Sequence, residues 1–310
     1  MSVCPRCSKI TSKVPGNLSN SESVPSKELR RSRAPIPGSP DHQITRSFPS
    51  APPRLRGEIP QYYTALLARY GPQNWWPARS RFEVIVGAYL TQNTNWSNVE
   101  KAMANLRRAR RLSVTAMRQI PLDELETLVR PSGYFRQKAR NLKTFIAFLD
   151  RHYSGSLTRM FAGPTAKIRT ELLELNGVGP ETADSILLYA GNHPVFVVDA
   201  YTRRVLLRHG IIGRKTPYEE IRAMIEHAIS SSAAESLVVK NPASDPRHPV
   251  SRMSSSARSA LAQHYNELHA LIVRVGNHYC RAKPDCGGCP LQMFLKTDCG
   301  ATAQDKLESY

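Results

Sequence analysis

The sequence predicts an all-α fold, because apolar residues recur at helical spacing in ten segments and no segment alternates as a strand does. In the first segment, which starts at Ile59 and ends before Gly71-Pro72, the recurring residues are Tyr62, Tyr63, Leu66, Leu67 and Tyr70. The other nine segments are 81–91, 97–110, 122–129, 135–151, 166–174, 181–191, 200–209, 217–229 and 257–278.

The chain is long enough to bury a large core, with 310 residues of which 41% are hydrophobic. No apolar run approaches the roughly 18 to 20 residues that a membrane-spanning helix needs, and the first residues lack an apolar signal core. We therefore expect a protein of the cytoplasm, associated with the nucleoid.

The formal charge of +18 suits a polyanionic partner such as nucleic acid. Residues 1–57 hold ten Lys or Arg against three Asp or Glu and so supply +7 of this charge, which leaves +11 on the rest. A basic tail alone does not explain the total.

Residues 1–57 are rich in Ser, Pro and Arg without apolar periodicity, and we expect a disordered basic tail. Its Cys4 and Cys7 have zinc-knuckle spacing, but no second pair accompanies them there. The ordered domain is expected over residues 58–310. Within it, the Ser- and Pro-rich stretch 230–256 is typical of a flexible insertion.

A glycine-containing hairpin is predicted between the helices at 166–174 and 181–191. Gly177 and Gly179 permit a tight turn, and Pro180 suits a first helical turn. Successive backbone N–H groups at such a helix start can bind a phosphate. The alternative is an ordinary turn between packed helices.

An apolar run from His193 leads to Asp199, just before the next helix. A helix cap is the simplest role for this aspartate. Together, the hairpin and this Asp-containing segment resemble the helix-hairpin-helix DNA glycosylase superfamily, endonuclease III-like. The resemblance implies that the hairpin, at Gly177, Val178 and Gly179, grips the DNA backbone and that Asp199 is catalytic.

The segment Gly87–Val99 is similar to a family segment with Gln and Thr at the spacing of Gln92 and Thr94. The resemblance implies that Gln92 enters the gap left by an extruded nucleotide, which an enzyme attacking a stacked base must stabilise. The alternative is a surface glutamine at a helix end.

Four cysteines cluster near the C-terminal end: Cys280, Cys286, Cys289 and Cys299. Their thiolates could ligate zinc or an iron–sulfur cluster. The setting resembles the [4Fe-4S] motif of endonuclease III relatives, although its first interval is shorter and its last longer than the common pattern. We expect a [4Fe-4S] cluster loop over 280–299. Arg281 and Lys283 would face phosphates there, unless they lie in a solvated basic loop.

The family implies two helical lobes with DNA gripped between them, one over about 80–192 and the other combining 58–79 with 193–310. Bifunctional relatives carry a hairpin lysine at the position of Glu181 and use it to cut the strand. A carboxylate cannot form the Schiff base that this requires. We therefore expect a monomeric, monofunctional glycosylase acting on double-stranded DNA with damaged bases.

Trp75, Trp76 and Trp96 are candidates for the wall of a base pocket, or else core aromatics. The segments at 70–87 and 133–139 resemble the 3-methyladenine glycosylase III branch, which implies an alkylated base selected by stacking and cation–π attraction. Three alternatives stay open: a bifunctional glycosylase with lyase activity, a non-catalytic DNA-binding module, and a zinc-stabilised interaction protein.

Overall fold

The computed structural model describes residues 53–231 and 251–295, and all the elements in these ranges are helical. The α-helices are α1 (Pro53–Tyr70), α2 (Arg81–Thr91), α3 (Trp96–Arg108), α4 (Val114–Gln119), α5 (Leu122–Val129), α6 (Phe135–Tyr153), α7 (Leu157–Phe161), α8 (Thr165–Leu173), α9 (Pro180–Ser185), α10 (Ala200–Arg208), α11 (Tyr218–Ser231) and α12 (Ala260–His278). A π segment (Ile186–Ala190) continues α9, and short 3-10 turns lie at Arg130–Ser132 and Gln292–Phe294. The predicted all-α class is confirmed.

Side chains that accept a backbone N–H define where several of these helices begin. These N-cap residues are Ser80, Asn95, Ser113, Ser156, Asp199 and Ser259. Ser, Asn and Asp hold this position well because a short side-chain oxygen reaches a donor that the helix leaves unpaired. Local sequence thus fixes many helix starts.

Two helices form the centre of the core. Residues 82–90 of α2 are buried on every side, and α2 packs against α3, α6, α9 and the π segment. Helix α12 packs against α1, α10, α11 and the π segment. Gly276 lets α10 approach α12 closely, since a Cβ there would lie 2.5 Å from Tyr201 Cδ1.

A buried ionic network joins α8, α9 and α11. Arg169 binds Asp184 at 2.7 Å and Glu219 at 2.6 Å, and Arg222 binds Glu219 at 2.8 Å. The Tyr218 hydroxyl donates to Asp184, which is fully buried. Because a buried carboxylate needs charged partners, this network holds α9 in a defined position.

The ends of the predicted segments differ in detail from the structure. Helix α1 begins at Pro53, inside the residues assigned to the basic tail. The described end of the 230–256 insertion is anchored, because Ser251 Oγ donates to Trp76 O at 3.0 Å and Met253 N donates to Ala78 O at 3.2 Å. Cys4, Cys7 and residues 232–250 lie outside the described ranges.

The described residues, 53–231 and 251–295, belong to one compact unit. Its division into two lobes stays a prediction. No helix in the described ranges combines the length and apolar character that crossing a membrane would take.

Candidate functional site

Asp199 stands where a buried extended segment meets a helix. Residues 195–198 are buried and apolar, and Asp199 follows them directly as the residue that caps α10. Asp199 Oδ1 accepts the Thr202 N–H at 2.7 Å, so the aspartate is a helix cap as the sequence predicts. Its side chain keeps 14% exposure, so the residue is not completely enclosed.

His269 approaches the other oxygen of this carboxylate, with Nε2 3.6 Å from Asp199 Oδ2. Burial disfavours the ionised form of Asp199. The charge of His269, the contact with it and the hydrogen bond from Thr202 outweigh burial, and the pKa of Asp199 lies below its usual value. Asp199 is therefore a carboxylate at neutral pH.

Glu181 is the second residue of α9 and shares the electrostatic environment of Asp199. The residue is exposed, yet surrounding protein and the negative charge of Asp199 raise the pKa of its carboxyl to about 7, against the opposing effect of His269. Glu181 thus changes its protonation state near neutral pH, whereas Asp199 stays ionised.

The hairpin before α9 has a left-handed backbone at Gly177, which a glycine permits. Gly177 has φ +79°, and a Cβ there would lie 2.1 Å from Asn141 Nδ2 of α6. Val178 is buried and its N–H donates to Leu175 O at 3.0 Å. The exposed Gly177 and Gly179 therefore offer the hairpin N–H groups that can face a ligand.

Gln92 adjoins this hairpin at the end of α2. Its side-chain Nε2 donates to Gly177 O at 2.9 Å and to Thr182 Oγ1 at 2.9 Å. The structure thus places Gln92, the hairpin and the start of α9 at one location.

Trp75, Trp76 and Trp96 form one aromatic cluster. Ring centroids lie 5.6 Å apart for Trp75 and Trp76, 5.9 Å for Trp75 and Trp96, and 5.3 Å for Trp76 and Trp96. Trp76 also lies 5.2 Å from Tyr189, whose hydroxyl contacts His269. This chain of contacts connects the tryptophans with the residues around Asp199.

The loop that carries Trp75 and Trp76 is fastened to α12. Glu267, which is buried, accepts the backbone N–H of Gln73, and Arg274 donates to Gln73 Oε1 at 2.8 Å. Helix α12 therefore supports the tryptophan loop and also provides His269.

Cys280, Cys286 and Cys289 line one pocket after α12. Arg208 donates to Cys280 Sγ at 3.2 Å, and Arg204 donates to Cys280 O at 2.6 Å. In the part of the chain that the structure describes, no group of His, Cys, Asp and Glu is arranged to hold a metal ion.

Cys299, the fourth predicted ligand, lies outside the described ranges, so the four-cysteine cluster stays a prediction. The two basic residues between the cysteines, Arg281 and Lys283, are both exposed.

The sequence analysis missed several residues of this region. Nothing in the spacing pairs His269 or Tyr189 with Asp199. Tyr134 is 74% exposed at the start of α6, with a left-handed backbone (φ 45°). In the sequence, the signals for this position are the preceding Gly133 and the aromatic side chain itself.

Comparison with known proteins agrees with this geometry. The sequence profile of the HhH-GPD superfamily of base excision DNA repair proteins matches residues 86–230. A protein of Methanocaldococcus jannaschii, provisionally named a DNA repair glycosylase, is 41% identical over 238 residues, which cover 76% of this chain and 94% of that protein. Endonuclease III of Thermotoga maritima is 30% identical over 143 residues, 46% of this chain and 63% of that protein.

Two solved structures superpose on most of this chain. An H. pylori 3-methyladenine DNA glycosylase bound to 1,N6-ethenoadenine superposes with a TM-score of 0.58 and 28% identity, covering 72% of this chain and 97% of the other. A trapped endonuclease III–DNA covalent intermediate superposes with a TM-score of 0.57 over 77% of this chain and 94% of the other, and at 23% identity it supports the fold alone.

An all-helical chain with a glycine hairpin beside a helix-capping aspartate defines the helix-hairpin-helix class of DNA glycosylases. The chain belongs to the HhH-GPD superfamily and is an endonuclease III-like DNA repair glycosylase.

Proposed function

We propose that the protein hydrolyses the N-glycosidic bond of a damaged base in double-stranded DNA, acts as a monomer, and leaves the strand uncut. One observation carries this proposal: the ionised Asp199 lies beside the hairpin element that bears Glu181 and no lysine.

Asp199 is the proposed catalytic residue. Breaking the bond between C1′ and the base nitrogen leaves positive charge on the sugar, and the carboxylate stabilises this charge. A water oxygen then bonds to C1′ while the base nitrogen takes the electron pair of the broken bond, and the proton that the water releases passes to the solvent. A cationic alkylated purine therefore leaves as a neutral base. Asp199 also suits the orientation of this water, since Thr202 fixes one oxygen and the side chain is not completely enclosed.

Glu181 supports hydrolysis without strand cleavage. A lyase reaction needs an amine that attacks C1′ and forms a Schiff base, and a carboxylate cannot do this. The hairpin segment 175–184 contains no lysine that could substitute. We infer that the product is an intact strand with an abasic site.

The proposed DNA-binding surface combines the hairpin, Gln92 and the cysteine loop. The N–H groups of Gly177 and Gly179 would bind a phosphate, with Val178 holding the turn from the inside. Gln92 would leave its contacts with the hairpin and fill the space of the extruded nucleotide. Exposed positive charges at Arg281 and Lys283 would contact the backbone nearby.

Tyr134 extends this surface. Lys138 and Asn141 follow it on the same face of α6; Lys138 Nζ donates to Leu90 O at 2.9 Å, and Asn141 lies against Gly177. The start of α6 is therefore next to the Gln92 segment and the hairpin. An aromatic side chain that protrudes at such a place can insert between base pairs.

The tryptophan cluster is the proposed base pocket. A flipped base is held by stacking on aromatic rings, and a cationic alkylated purine gains additional attraction from them. The partly exposed Trp75 and Trp96 supply ring faces, and Trp76 supports them from the core. We therefore propose alkylated purines as the substrate class.

The cysteine loop fits a [4Fe-4S] cluster held by Cys280, Cys286, Cys289 and Cys299. Cys280, Cys286 and Cys289 line one pocket, and the Arg208 guanidinium next to Cys280 Sγ suits a sulfur that carries negative charge. When bound, the cluster would supply structural support to the loop. Arg204 and Arg208 would transmit this support to α10, the helix that Asp199 caps.

The test is incubation of purified protein with duplexes that carry single lesions, including 3-methyladenine and 1,N6-ethenoadenine, analysed with and without alkali. We expect base release for an alkylated purine and strand breaks only after alkali. Breaks without alkali would show the bifunctional alternative. Binding without base release from any duplex would favour a non-catalytic DNA-binding module.

A further inference from the structure

A buried histidine–tyrosine pair lies behind the Asp199 carboxylate. His269 is in the middle of α12 and Tyr189 is in the π segment, and the Tyr189 hydroxyl contacts His269 Nδ1. The His269 ring also packs edge-on against Phe196, with centroids 6.0 Å apart. Contacts on two sides thus fix the plane of the imidazole.

The Tyr189 contact determines which imidazole nitrogen carries the proton. A Tyr189 hydroxyl that donates to Nδ1 leaves the ring proton on Nε2, and a positively charged ring carries a proton on Nε2 as well. Nε2 is buried and forms no hydrogen bond within the described ranges, and Asp199 Oδ2 lies 3.6 Å away from it. A buried N–H without an acceptor is destabilising, so a short movement of the carboxylate towards Nε2 is favourable.

We propose that His269, oriented by Tyr189, is a positioning residue that holds the Asp199 carboxylate towards the DNA sugar. Thr202 holds Oδ1 by a hydrogen bond, and an approach of Oδ2 to His269 Nε2, which lies 3.6 Å away, would limit rotation of the carboxylate about its last bond. The inference rests on the proposed catalytic role of Asp199. Catalysis depends strongly on such orientation, since a misplacement of about 1 Å can reduce a rate by about 100-fold.

Charged groups around the pair determine the effect of pH. His269 favours the ionised form of Asp199, and the negative charge of Asp199 raises the pKa of Glu181. Tyr189 experiences Asp199 and Glu267, which raise its pKa well above the usual value after the dominant effect of burial, and Arg258, which opposes them. Tyr189 therefore keeps its hydroxyl proton over the whole working range of pH.

Removal of His269 should change the pKa of Asp199 in a predictable direction. The contacts with Thr202 would still oppose burial, but without the two effects of His269 the pKa of Asp199 would rise. Base release requires the ionised carboxylate, so the acid limb of its pH profile would move to higher pH.

The experiment compares the wild-type protein with His269→Ala, His269→Gln and Tyr189→Phe. The glutamine amide places an N–H donor close to the position of the imidazole Nε2, whereas alanine does not. The Asp199 carboxyl carbon is titrated by NMR, with Asp199→Asn identifying its signal. Single-turnover base release is measured against pH on whichever lesion of the duplex panel the wild type removes fastest.

For His269→Ala we expect a higher Asp199 pKa and base release reduced about tenfold or more, with the Kd for DNA changed less than about twofold. His269→Gln should return both values towards the wild type. Tyr189→Phe should shift the Asp199 pKa and the rate of base release in the same direction as His269→Ala does. If the His269 variants do not fold, the Tyr189→Phe result tests the positioning role.

An unchanged Asp199 titration in His269→Ala, or a His269→Gln variant no closer to wild type than alanine, would overturn the positioning role. Asp199→Asn separates this result from failure of the proposed function. Wild-type base release by Asp199→Asn would remove the catalytic assignment, while the NMR titration still decides whether His269 controls the carboxylate. An inactive Asp199→Asn with a normal titration in His269→Ala would remove only the positioning role.

Discussion

The side-chain amide of Gln92 donates to the carbonyl oxygen of Gly177 at 2.9 Å, although 85 residues separate the two in sequence. This hydrogen bond joins the end of α2 to the hairpin. A second hydrogen bond, from the same amide to the Thr182 hydroxyl, strengthens the connection. Gln92, the residue proposed to enter DNA, is therefore bound to the hairpin that is proposed to bind the phosphate. In this proposal Gln92 exchanges its contacts with the hairpin for contacts with DNA.

Gln92→Ala should reduce both stability and affinity. Two hydrogen bonds of a partly exposed amide are lost, which should cost about 1 kcal/mol of unfolding free energy in urea titration. The Kd for a duplex with an abasic site should rise, because the vacated space is no longer filled. Gln119→Ala, at the exposed last residue of α4, is the matched control and should leave both unchanged. Equal DNA affinity for the two variants would remove Gln92 from the interface.

Glu181 should make DNA affinity depend on pH around neutrality. Its pKa of about 7 means that it is mostly neutral at pH 6 and mostly negative at pH 8. A negative carboxylate repels phosphates, so affinity should fall as the pH rises through 7. Glu181→Gln should flatten this dependence in fluorescence anisotropy titrations. An identical pH dependence in the variant would place Glu181 away from the DNA.

The raised pKa of Glu181 also makes the stability of the fold depend on pH. Because the pKa of Glu181 is raised above its unfolded value, its contribution to stability is complete below pH 4.5 and is lost as the pH rises through about 7. Solvent reduces this contribution at an exposed residue. Urea titrations of Glu181→Gln should therefore show a slightly smaller loss of stability between pH 5 and 8 than the wild type shows.

Arg281 and Lys283 should be visible in the salt dependence of DNA binding. Each lost phosphate contact should reduce the slope of log K against log salt by about one unit. Arg281→Gln and Lys283→Gln are compared with Arg151→Gln, an exposed arginine in the last turn of α6. If all three variants keep the wild-type slope, the cysteine loop does not face the DNA.

Iron content should depend on the C-terminal cysteines and not on the tail. Cys286→Ser should lose the brown colour and broad visible absorption expected of an iron–sulfur protein, because a thiolate ligand is removed. Cys7→Ser should keep them. A colourless wild-type protein that contains one zinc would show the zinc-stabilised alternative instead.

Sequence patterns anticipated the fold better than the site. The apolar run of α2 was predicted at 81–91, where the structure has it, because a fully buried helix leaves a strong signal. Helices α4 and α7, with six and five residues, are too short to show a period. The predicted helix at 181–191 includes the π segment, whose altered winding the 3.6-residue pattern does not distinguish.

Contacts between distant segments account for what the sequence could not predict. His269 and Asp199 are 70 residues apart, and their approach depends on how α12 packs against α10 at Gly276 and Tyr201. Tyr189 faces His269 only because the π segment also packs on α12. Tertiary packing therefore determines which groups surround the carboxylate, while sequence could indicate the carboxylate itself.

Single-turnover base release by Asp199→Asn tests the central claim most directly. Asn caps a helix as well as Asp, so stability should change little while the negative charge disappears. Base release should fall by two to three orders of magnitude, about 2.7 to 4 kcal/mol of barrier, with DNA affinity kept or improved. A folded Asp199→Asn variant that releases the base at the wild-type rate would contradict the account and place the chemistry elsewhere in the protein.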